Sequence, residues 1–269
     1  MKVLVCVKRI PGSSGKVTLT DDEQQVDARH VGFTISPHEE CAVEAAVQLV
    51  EASNASSPAD GAGNSATVLT LGPADAEAQL RDALALGGTD AVLLETDETG
   101  WDAVATARAI SALIDTHRAA GKTYDLVLFG NEAGDTADFQ VGIRVAHLQG
   151  VPCVTGVKSL SVNADGGGLV AEAGREALGG TEIVEVALPA MLTIKEGLNV
   201  PRYPSVPGRI KAKRAPVEHV TPELRPGGVR RVKLSLPPEQ PSKVNVLGNG
   251  PDAAPAVVEM LRTIGVLES

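Results

Sequence analysis

"VLFGNEAGDTADFQVGIRVA", residues 127–146, passes from an apolar run through a loop of small and acidic residues into a segment of helical character. This order of strand, loop and helix is typical of phosphate-binding loops in parallel α/β sheets. The loop contains no lysine, however, and the residues best placed to meet a phosphate are the acidic Asp135 and Asp138. The spacing alone therefore favours a nucleotide site and an empty structural turn about equally.

Three earlier apolar runs repeat the strand pattern of residues 124–130. They are KVLVCV (2–7), SATVLTLG (65–72) and DAVLLET (90–96), and segments of helical character occupy residues 37–52, 73–88 and 102–121. The alternation predicts an α/β fold, a doubly wound and mostly parallel Rossmann-like sheet with helices on both faces. If the first and fourth strands are neighbours, their ends near Cys6 and Gly130 face one crevice, where ligands bind in such sheets.

The pattern changes after about residue 150. The runs 157–163, 168–173 and 181–194 alternate like antiparallel strands and predict a hairpin addition to the sheet. The chain from residue 195 is rich in proline and charge, so we expect an extended arm, with a last short helix within 252–267. Two regions are predicted: an α/β nucleotide-binding domain with its hairpin over 1–194, and a partner-docking loop, arm and helix over 195–269.

Composition and charge limit the classes of function. The net charge of -10 and the aromatic content of 2% argue against nucleic acid binding, and the apolar runs are too short for direct membrane insertion. Met1 leads directly into a strand pattern, so no signal peptide is expected. Three scattered cysteines fit neither a disulfide framework nor a metal site, and they favour a reducing cytoplasm.

Motifs of the common nucleotide-dependent enzymes are absent from the sequence. No Gly-x-Gly-x-x-Gly turn follows the first strand, and there is neither a Walker A loop nor a Gly-x-Ser-x-Gly elbow. The histidines form no ligand pair; we interpret His117 and His147 as helix-surface residues, whereas His38 falls at a helix start beside the predicted crevice. No carboxylate pair is set apart for acid–base work, so the sequence indicates a binding or carrier protein and not an enzyme.

Residues 174–207, GREALGGTEIVEVALPAMLTIKEGLNVPRYPSVP, closely resemble the signature of the electron transfer flavoprotein beta subunit. The segments VLVCVKRIP, SPHEECAVEAAVQL, LGPADAEAQLRDALALGG and LVLFG follow in the order and spacing of that family. The resemblance therefore covers nearly the whole chain.

The resemblance implies a specific function. Such a chain pairs with an alpha subunit, the redox-active FAD lies mainly in that alpha subunit, and the beta subunit holds a structural AMP. Electrons pass from flavoprotein dehydrogenases of the acyl-CoA dehydrogenase type, in fatty acid oxidation, to a membrane quinone oxidoreductase. Two alternatives remain: a bifurcating type with a second FAD in the AMP position, and a stand-alone adenine-nucleotide-binding sensor or hydrolase of similar topology.

The resemblance also implies site residues. Flavin-facing positions fall near Ser13 and His38, and the loop that docks the dehydrogenase spans about 194–216. Its candidate docking residues are Leu198, Asn199, Pro201, Arg202, Tyr203 and Val206. The nucleotide contacts correspond to Cys6, Ser36, Pro37, His38, Glu39, Leu71, Gly130, Asn131, Glu132, Ala133, Gly134, Asp135, Thr136, Ala137, Asp138, Phe139, Gln140 and Val141.

The acidic loop departs from the family pattern Asp-Gly-Asp-Thr-x-Gln-x-Gly. Asp135, Gln140 and Gly142 match, but a carboxylate, Asp138, replaces the threonine that would meet a phosphate. Either the Asp135–Thr136 pair serves the phosphate, or Asp138 caps the following helix over an empty site. The basic run Arg209, Lys211, Lys213 and Arg214 has two interpretations as well, the steering of an acidic partner and a solvated strand edge.

Overall fold

A computed structural model of the chain describes residues 1–12, 16–56, 63–97, 100–238 and 244–267. By their internal contacts the residues form two compact units, Met1–Leu234 and Ser235–Ser269. The elements in chain order are β1 (Lys2–Val7), β2 (Ile10–Pro11), β3 (Phe33–Thr34), α1 (Pro37–Ser56), β4 (Ser65–Gly72), α2 (Glu77–Leu86), β5 (Asp90–Glu95), α3 (Ala103–Ala119), β6 (Leu126–Gly130), α4 (Val141–Gln149), β7 (Cys153–Asp165), β8 (Gly168–Ala177), β9 (Gly180–Ala187), β10 (Ala190–Ile194), α5 (Val206–Arg214), β11 (Val217–Val220) and α6 (Ala254–Thr263).

Within the described residues, the first unit is built on a nine-stranded sheet in the order β11-β5-β4-β1-β6-β10-β7-β8-β9, and β2 and β3 form a separate antiparallel pair. The pairs from β11 to β7 are parallel, and those joining β7, β8 and β9 are antiparallel. The predicted doubly wound α/β sheet with an antiparallel hairpin addition is therefore confirmed.

Alternate residues of β1 serve the two faces of the sheet. Val3 and Val5 join the core beneath α1 and α2, whereas Leu4 and Cys6 join the core beneath α3 and α4. A strand that is buried on both faces needs apolar side chains at every position, which explains the continuous run KVLVCV. Each fully buried valine or leucine contributes about 1.5–3 kcal/mol relative to exposure.

Residues 181–194 form two strands, where the sequence pattern indicated one antiparallel run. β9 pairs antiparallel with β8, while β10 inserts between β6 and β7 and is parallel to both. The two strands are separated at Leu188 and Pro189, where proline lacks the N–H that a continuous ladder needs. All five residues of β10 are buried, as expected for a central strand.

Part of the proline-rich segment after residue 195 belongs to the first unit and forms α5 and β11, where the sequence predicts an extended arm. Ser205 caps α5 by accepting a hydrogen bond from the N–H of Gly208 at 3.1 Å, and a proline occupies the first turn of the helix. α5 packs on α2 through Ala212, and β11 then adds a parallel edge strand beside β5. The basic run therefore lies on a helix, and its interpretation as a strand edge is wrong.

His117 is buried, so its interpretation as a helix-surface residue is also wrong. Its Nδ1 lies 2.7 Å from the hydroxyl of Tyr124, and its Nε2 lies 3.2 Å from a carboxylate oxygen of Glu218 in β11. The network joins α3 to the start of β6 and to the edge strand. His147 is exposed, as expected.

In the second unit, α6 is the main regular element. None of its described side chains is buried, and its apolar residues Val257, Val258 and Met260 are 38–41% exposed. Across the described ranges, we find no helix with the length and apolar character that crossing a membrane requires.

Candidate functional site

The first and fourth strands of the sequence pattern are neighbours in the sheet, as expected. β1 and β6 are parallel, and Cys6 stands beside Phe129 at their carboxyl ends. The strand order reverses here, because β4 and β5 continue to one side and β10 to the other. A crevice at such a reversal is where ligands bind in open parallel sheets.

Ser36 and Glu39 join the start of α1 to the end of β1. The N–H of Glu39 donates to Ser36 Oγ at 3.3 Å, and the N–H of Ser36 donates to Glu39 Oε2 at 2.9 Å, which is a reciprocal helix cap. The other Glu39 oxygen accepts from the N–H of Lys8 at 2.8 Å. Burial raises the pKa of Glu39 to about 7, although these hydrogen bonds oppose the rise.

Two glycines let the acidic loop lie close to this cap. A Cβ atom at Gly130 would be 2.8 Å from Glu39 Cγ, and one at Gly134 would be 2.8 Å from Ile10 Cδ1. Both distances are too short for a side chain without a shift of the surroundings. The loop, the cap and the end of β1 thus form one compact wall of the crevice.

Lys8 supplies the cation that the acidic loop lacks. Its Nζ lies 2.6 Å from Asp135 Oδ1, so the carboxylate nearest the loop apex is paired with a residue at the end of β1. Sequence reasoning missed Lys8 because the two residues are 127 positions apart. The available signal was a lysine directly after the first buried strand.

Asp138 does not cap the helix that follows, contrary to one of the two expectations. Its Oδ1 accepts from the N–H of Gln140 at 2.8 Å, whereas α4 begins at Val141. Among the described residues, no side chain forms a cap hydrogen bond at this N-terminus. The N–H groups of the first helical turn consequently lack helical partners and can bind an anion.

Asn131 is held by residues of the neighbouring strand. Its N–H donates to the carbonyl of Ile194 at 2.8 Å, and its Oδ1 accepts from the hydroxyl of Thr193 at 2.8 Å. Asn131, Thr193 and Phe139 line a cleft of about 530 Å³ beside the hairpin. Thr193 is a second residue that sequence reasoning missed, since it lies within a buried strand.

His38 is fixed between the acidic loop and the docking segment. Its Nδ1 accepts from the N–H of Glu196 at 2.7 Å, which assigns the ring proton to Nε2, 3.4 Å from Glu132 Oε1. Ser13, the other predicted flavin-facing residue, lies outside the described residues.

The remaining predicted contacts differ in exposure. Burial, with the neighbouring Glu39 as a smaller cause, raises the pKa of the Cys6 thiol, which makes it unreactive. Pro37 and Thr136 are exposed, and Ala137 adopts a positive φ of 52° in the turn. Leu71, Ala133, Glu132 and Val141 are half-buried, and Gln140 and Phe139 are exposed.

The candidate docking residues divide into an inner and an outer group. Leu198 packs against the core, Pro201 is half-buried, and Asn199 Nδ2 donates to the carbonyl of Cys41 at 3.0 Å. Tyr203 and Val206 are 96% and 72% exposed. Leu198 and Asn199 thus attach the segment to the protein, whereas the apolar side chains of Tyr203 and Val206 are exposed to solvent.

Comparison with known proteins agrees with this geometry. The profile of the electron transfer flavoprotein domain matches residues 25–224. An electron transfer flavoprotein subunit beta of Bacillus subtilis is 32% identical over 98% of this chain and 98% of its own length. The same subunit of Syntrophomonas wolfei is 32% identical over 91% and 90%, and that of Thermoanaerobacterium thermosaccharolyticum is 36% identical over 79% and 75%. The chain therefore belongs to the family of electron transfer flavoprotein beta subunits.

Proposed function

We propose that this electron transfer flavoprotein subunit binds AMP in the crevice between β1 and β6 and pairs with an alpha subunit that holds most of the FAD. The heterodimer carries electrons from flavoprotein dehydrogenases, of the acyl-CoA dehydrogenase type, to a membrane quinone oxidoreductase. Three free cysteines fit a reducing compartment such as the cytoplasm. The observation that carries the nucleotide proposal is the uncapped N-terminus of α4 beside the Lys8–Asp135 pair.

The N-terminus of α4 attracts a phosphate, and Lys8 reduces the repulsion from the acidic loop. The free N–H groups and the helix dipole favour an anion there. Carboxylates a few ångströms away oppose it: Asp135 is paired with Lys8, whereas Asp138, which accepts from the N–H of Gln140, still repels a phosphate. The tight packing of Gly142 against Phe129 and Thr193, where a Cβ would lie 3.0–3.1 Å away, keeps the first turn of α4 fixed on the sheet.

The flavin of the partner is assigned to the His38 end of the crevice, and the dehydrogenase to the outer face of residues 194–216. His38 is oriented by hydrogen bonding on both ring nitrogens, which suits a group that faces a cofactor. Tyr203, in the loop, and Val206, at the start of α5, offer exposed apolar anchors in a segment that contains Pro201, Pro204 and Pro207. The flavin reduction potential of a His38→Ala heterodimer tests the first assignment, and an unchanged value would contradict it.

The nucleotide proposal is tested by releasing bound nucleotides from the heterodimer, co-expressed with its alpha subunit, and identifying them by mass spectrometry. We expect FAD and AMP in equal amounts. We also expect Lys8→Gln to weaken the binding of added AMP about tenfold or more, measured by calorimetry, because Asp135 is then unpaired. Lys8→Arg, which keeps the charge, is the matched control and should bind AMP nearly as the native chain does.

Other results would support the alternatives. FAD at two per heterodimer without AMP would indicate the bifurcating type. A colourless monomer that binds adenine nucleotides without any partner would indicate a stand-alone sensor or hydrolase. A heterodimer with FAD that neither contains nor binds AMP would overturn the nucleotide site while leaving the pairing intact.

A further inference from the structure

Arg202 is enclosed by two carboxylates of α1, although its place in the docking loop suggests an outward contact. Its Nε lies 2.9 Å from Oε2 and 3.2 Å from Oε1 of Glu44, and its Nη2 lies 3.0 Å from Oε1. On the other side, Nη1 and Nη2 lie 2.7 Å and 2.9 Å from the two oxygens of Glu51. The backbone N–H of Arg202 also donates to Glu44, at 3.1 Å.

The Glu44 carboxylate is the buried half of this arrangement. Its side chain is 3% exposed, against 35% for Arg202 and 57% for Glu51. Burial alone would raise the pKa of Glu44, but the hydrogen bonds from Arg202 bring it below its usual value. The guanidinium group of Arg202 is planar and has N–H donors on two edges, so it can pair with Glu44 and Glu51 at once while remaining partly exposed.

Asn199, three residues before Arg202, also attaches the loop to α1. Asn199 Nδ2 donates to the carbonyl of Cys41 at 3.0 Å, and Cys41 Sγ lies 3.6 Å from the carbonyl of Asn199. Cys41 and Glu44 are one turn apart on α1, so the loop is held along the helix axis. Val200, which lies between Asn199 and Arg202, is 88% exposed, and Tyr203, which directly follows Arg202, is 96% exposed.

We propose that Arg202 is a positioning residue for dehydrogenase docking: through Glu44 and Glu51 it holds residues 199–203 against α1 and thereby presents Tyr203 and Val206 in a fixed arrangement. This inference depends on the proposed docking function of residues 194–216. A buried ion pair stabilises a fold no better than apolar residues of similar volume, but it fixes geometry. Fixing the loop before association removes the ordering cost that docking would otherwise incur.

The role in presentation is separated from a general role in stability by two measurements on the heterodimer. Amide hydrogen exchange reports whether residues 200–208 are ordered, and steady-state reduction by a purified flavoprotein dehydrogenase of the acyl-CoA dehydrogenase type reports docking through KM. For Arg202→Gln we expect exchange of this segment and the KM for the dehydrogenase to rise about tenfold or more, with a much smaller change in kcat. Arg202→Lys should recover part of both effects.

A double-mutant cycle with Val206→Ala tests whether Arg202 acts through the anchors. If it does, the two substitutions share their effect on KM and the double variant is less impaired than the product of the single effects. Arg118→Gln is the matched control, since Arg118 pairs with Asp115 on α3, on the opposite face of the sheet. It should leave loop exchange and KM unchanged.

Failure of the inference and failure of the docking function give different results. If Val206→Ala and Tyr203→Ala raise KM but Arg202→Gln changes neither KM nor loop exchange, Arg202 does not position the loop. If Arg202→Gln speeds loop exchange while neither anchor substitution changes KM, the loop is held by Arg202 but does not dock the dehydrogenase. If the effects of Arg202→Gln and Val206→Ala on KM are additive, Arg202 stabilises the chain but does not act through Val206.

Discussion

Single residues at the end of β1 control the charge of the crevice. Lys8 pairs through its side chain with Asp135 and through its backbone with Glu39. Glu39 in turn shares a reciprocal cap with Ser36. Four site residues, Lys8, Asp135, Ser36 and Glu39, are thus linked, and the bonds from Ser36 and Lys8 oppose the rise that burial causes in the pKa of Glu39.

The buried carboxyl group of Glu39 makes folding depend on pH. Its pKa is about 7 in the folded chain, compared with 4.5 for an ordinary glutamate, so the folded state binds the proton more tightly. The contribution of this group to stability is full below about pH 4.5 and is lost as the pH rises through about 7. We expect the free energy of unfolding of the native chain, relative to Glu39→Gln, to fall by about 3 kcal/mol over that interval.

Urea unfolding at several pH values measures this difference. Glu172→Gln, the same substitution at an exposed position of β8, controls for the loss of one negative charge. The raised pKa of Glu39 is contradicted if the free energy of unfolding of the native chain, relative to Glu39→Gln, stays constant or rises with pH.

Among the elements, α5 lies against α2 with a close approach at Gly208. A Cβ atom at Gly208 would lie 2.6 Å from the carbonyl oxygen of Ala85 in α2 and 3.1 Å from Ser205 Oγ. Arg81 of α2 also donates to the carbonyl of Ala212, near the end of α5. The basic residues of α5 therefore lie on a helix that is fixed against α2 within the first unit, which suits the steering of an acidic partner.

We expect Gly208→Ala to destabilise the first unit by about 1–3 kcal/mol, because α5 must move away from α2. An alanine in an open helix would instead stabilise by about 0.5–1 kcal/mol, so the sign of the change is informative. Thermal unfolding measures it, and Gly166→Ala, where no atom lies within 4 Å of the added Cβ, is the control. A stabilised Gly208→Ala chain would mean that α5 does not pack on α2 as described.

At the scale of the whole molecule, the chain carries an apolar surface that its own described residues leave uncovered. In the second unit, Ile264 and Val266 are 60% and 65% exposed beside the ten-residue helix α6. An isolated helix of this length is marginal in water. The first unit, by contrast, contains the complete sheet and both buried cores.

We therefore expect α6 to gain order only when the alpha subunit is present. Amide hydrogen exchange within 254–263 should be fast in the isolated chain and about a hundredfold slower in the heterodimer, since burial of the apolar side chains protects the helix. Residues 126–130 of β6 are the internal control and should be protected in both states. Equal protection of 254–263 in both states would show that the partner does not order this helix.

The sequence alone was sufficient for the alternation of strands and helices up to about residue 130 and for the family. Continuous apolar runs such as KVLVCV are typical of strands buried on both faces, and residues 174–207 resemble the signature of one kind of subunit. The start of α1 also has a local signal that sequence reasoning did not use, because the cap of Ser36 with Glu39 is formed by residues three apart.

Only the tertiary structure decided which distant residues meet. The insertion of β10 between β6 and β7, the pairing of Lys8 with Asp135, the burial of His117 beside Glu218, and the enclosure of Arg202 by Glu44 and Glu51 all join segments far apart in the chain. Periodicity and capping report the environment of a residue relative to its near neighbours. They contain no information on which charged side chain, more than a hundred positions away, will neutralise it.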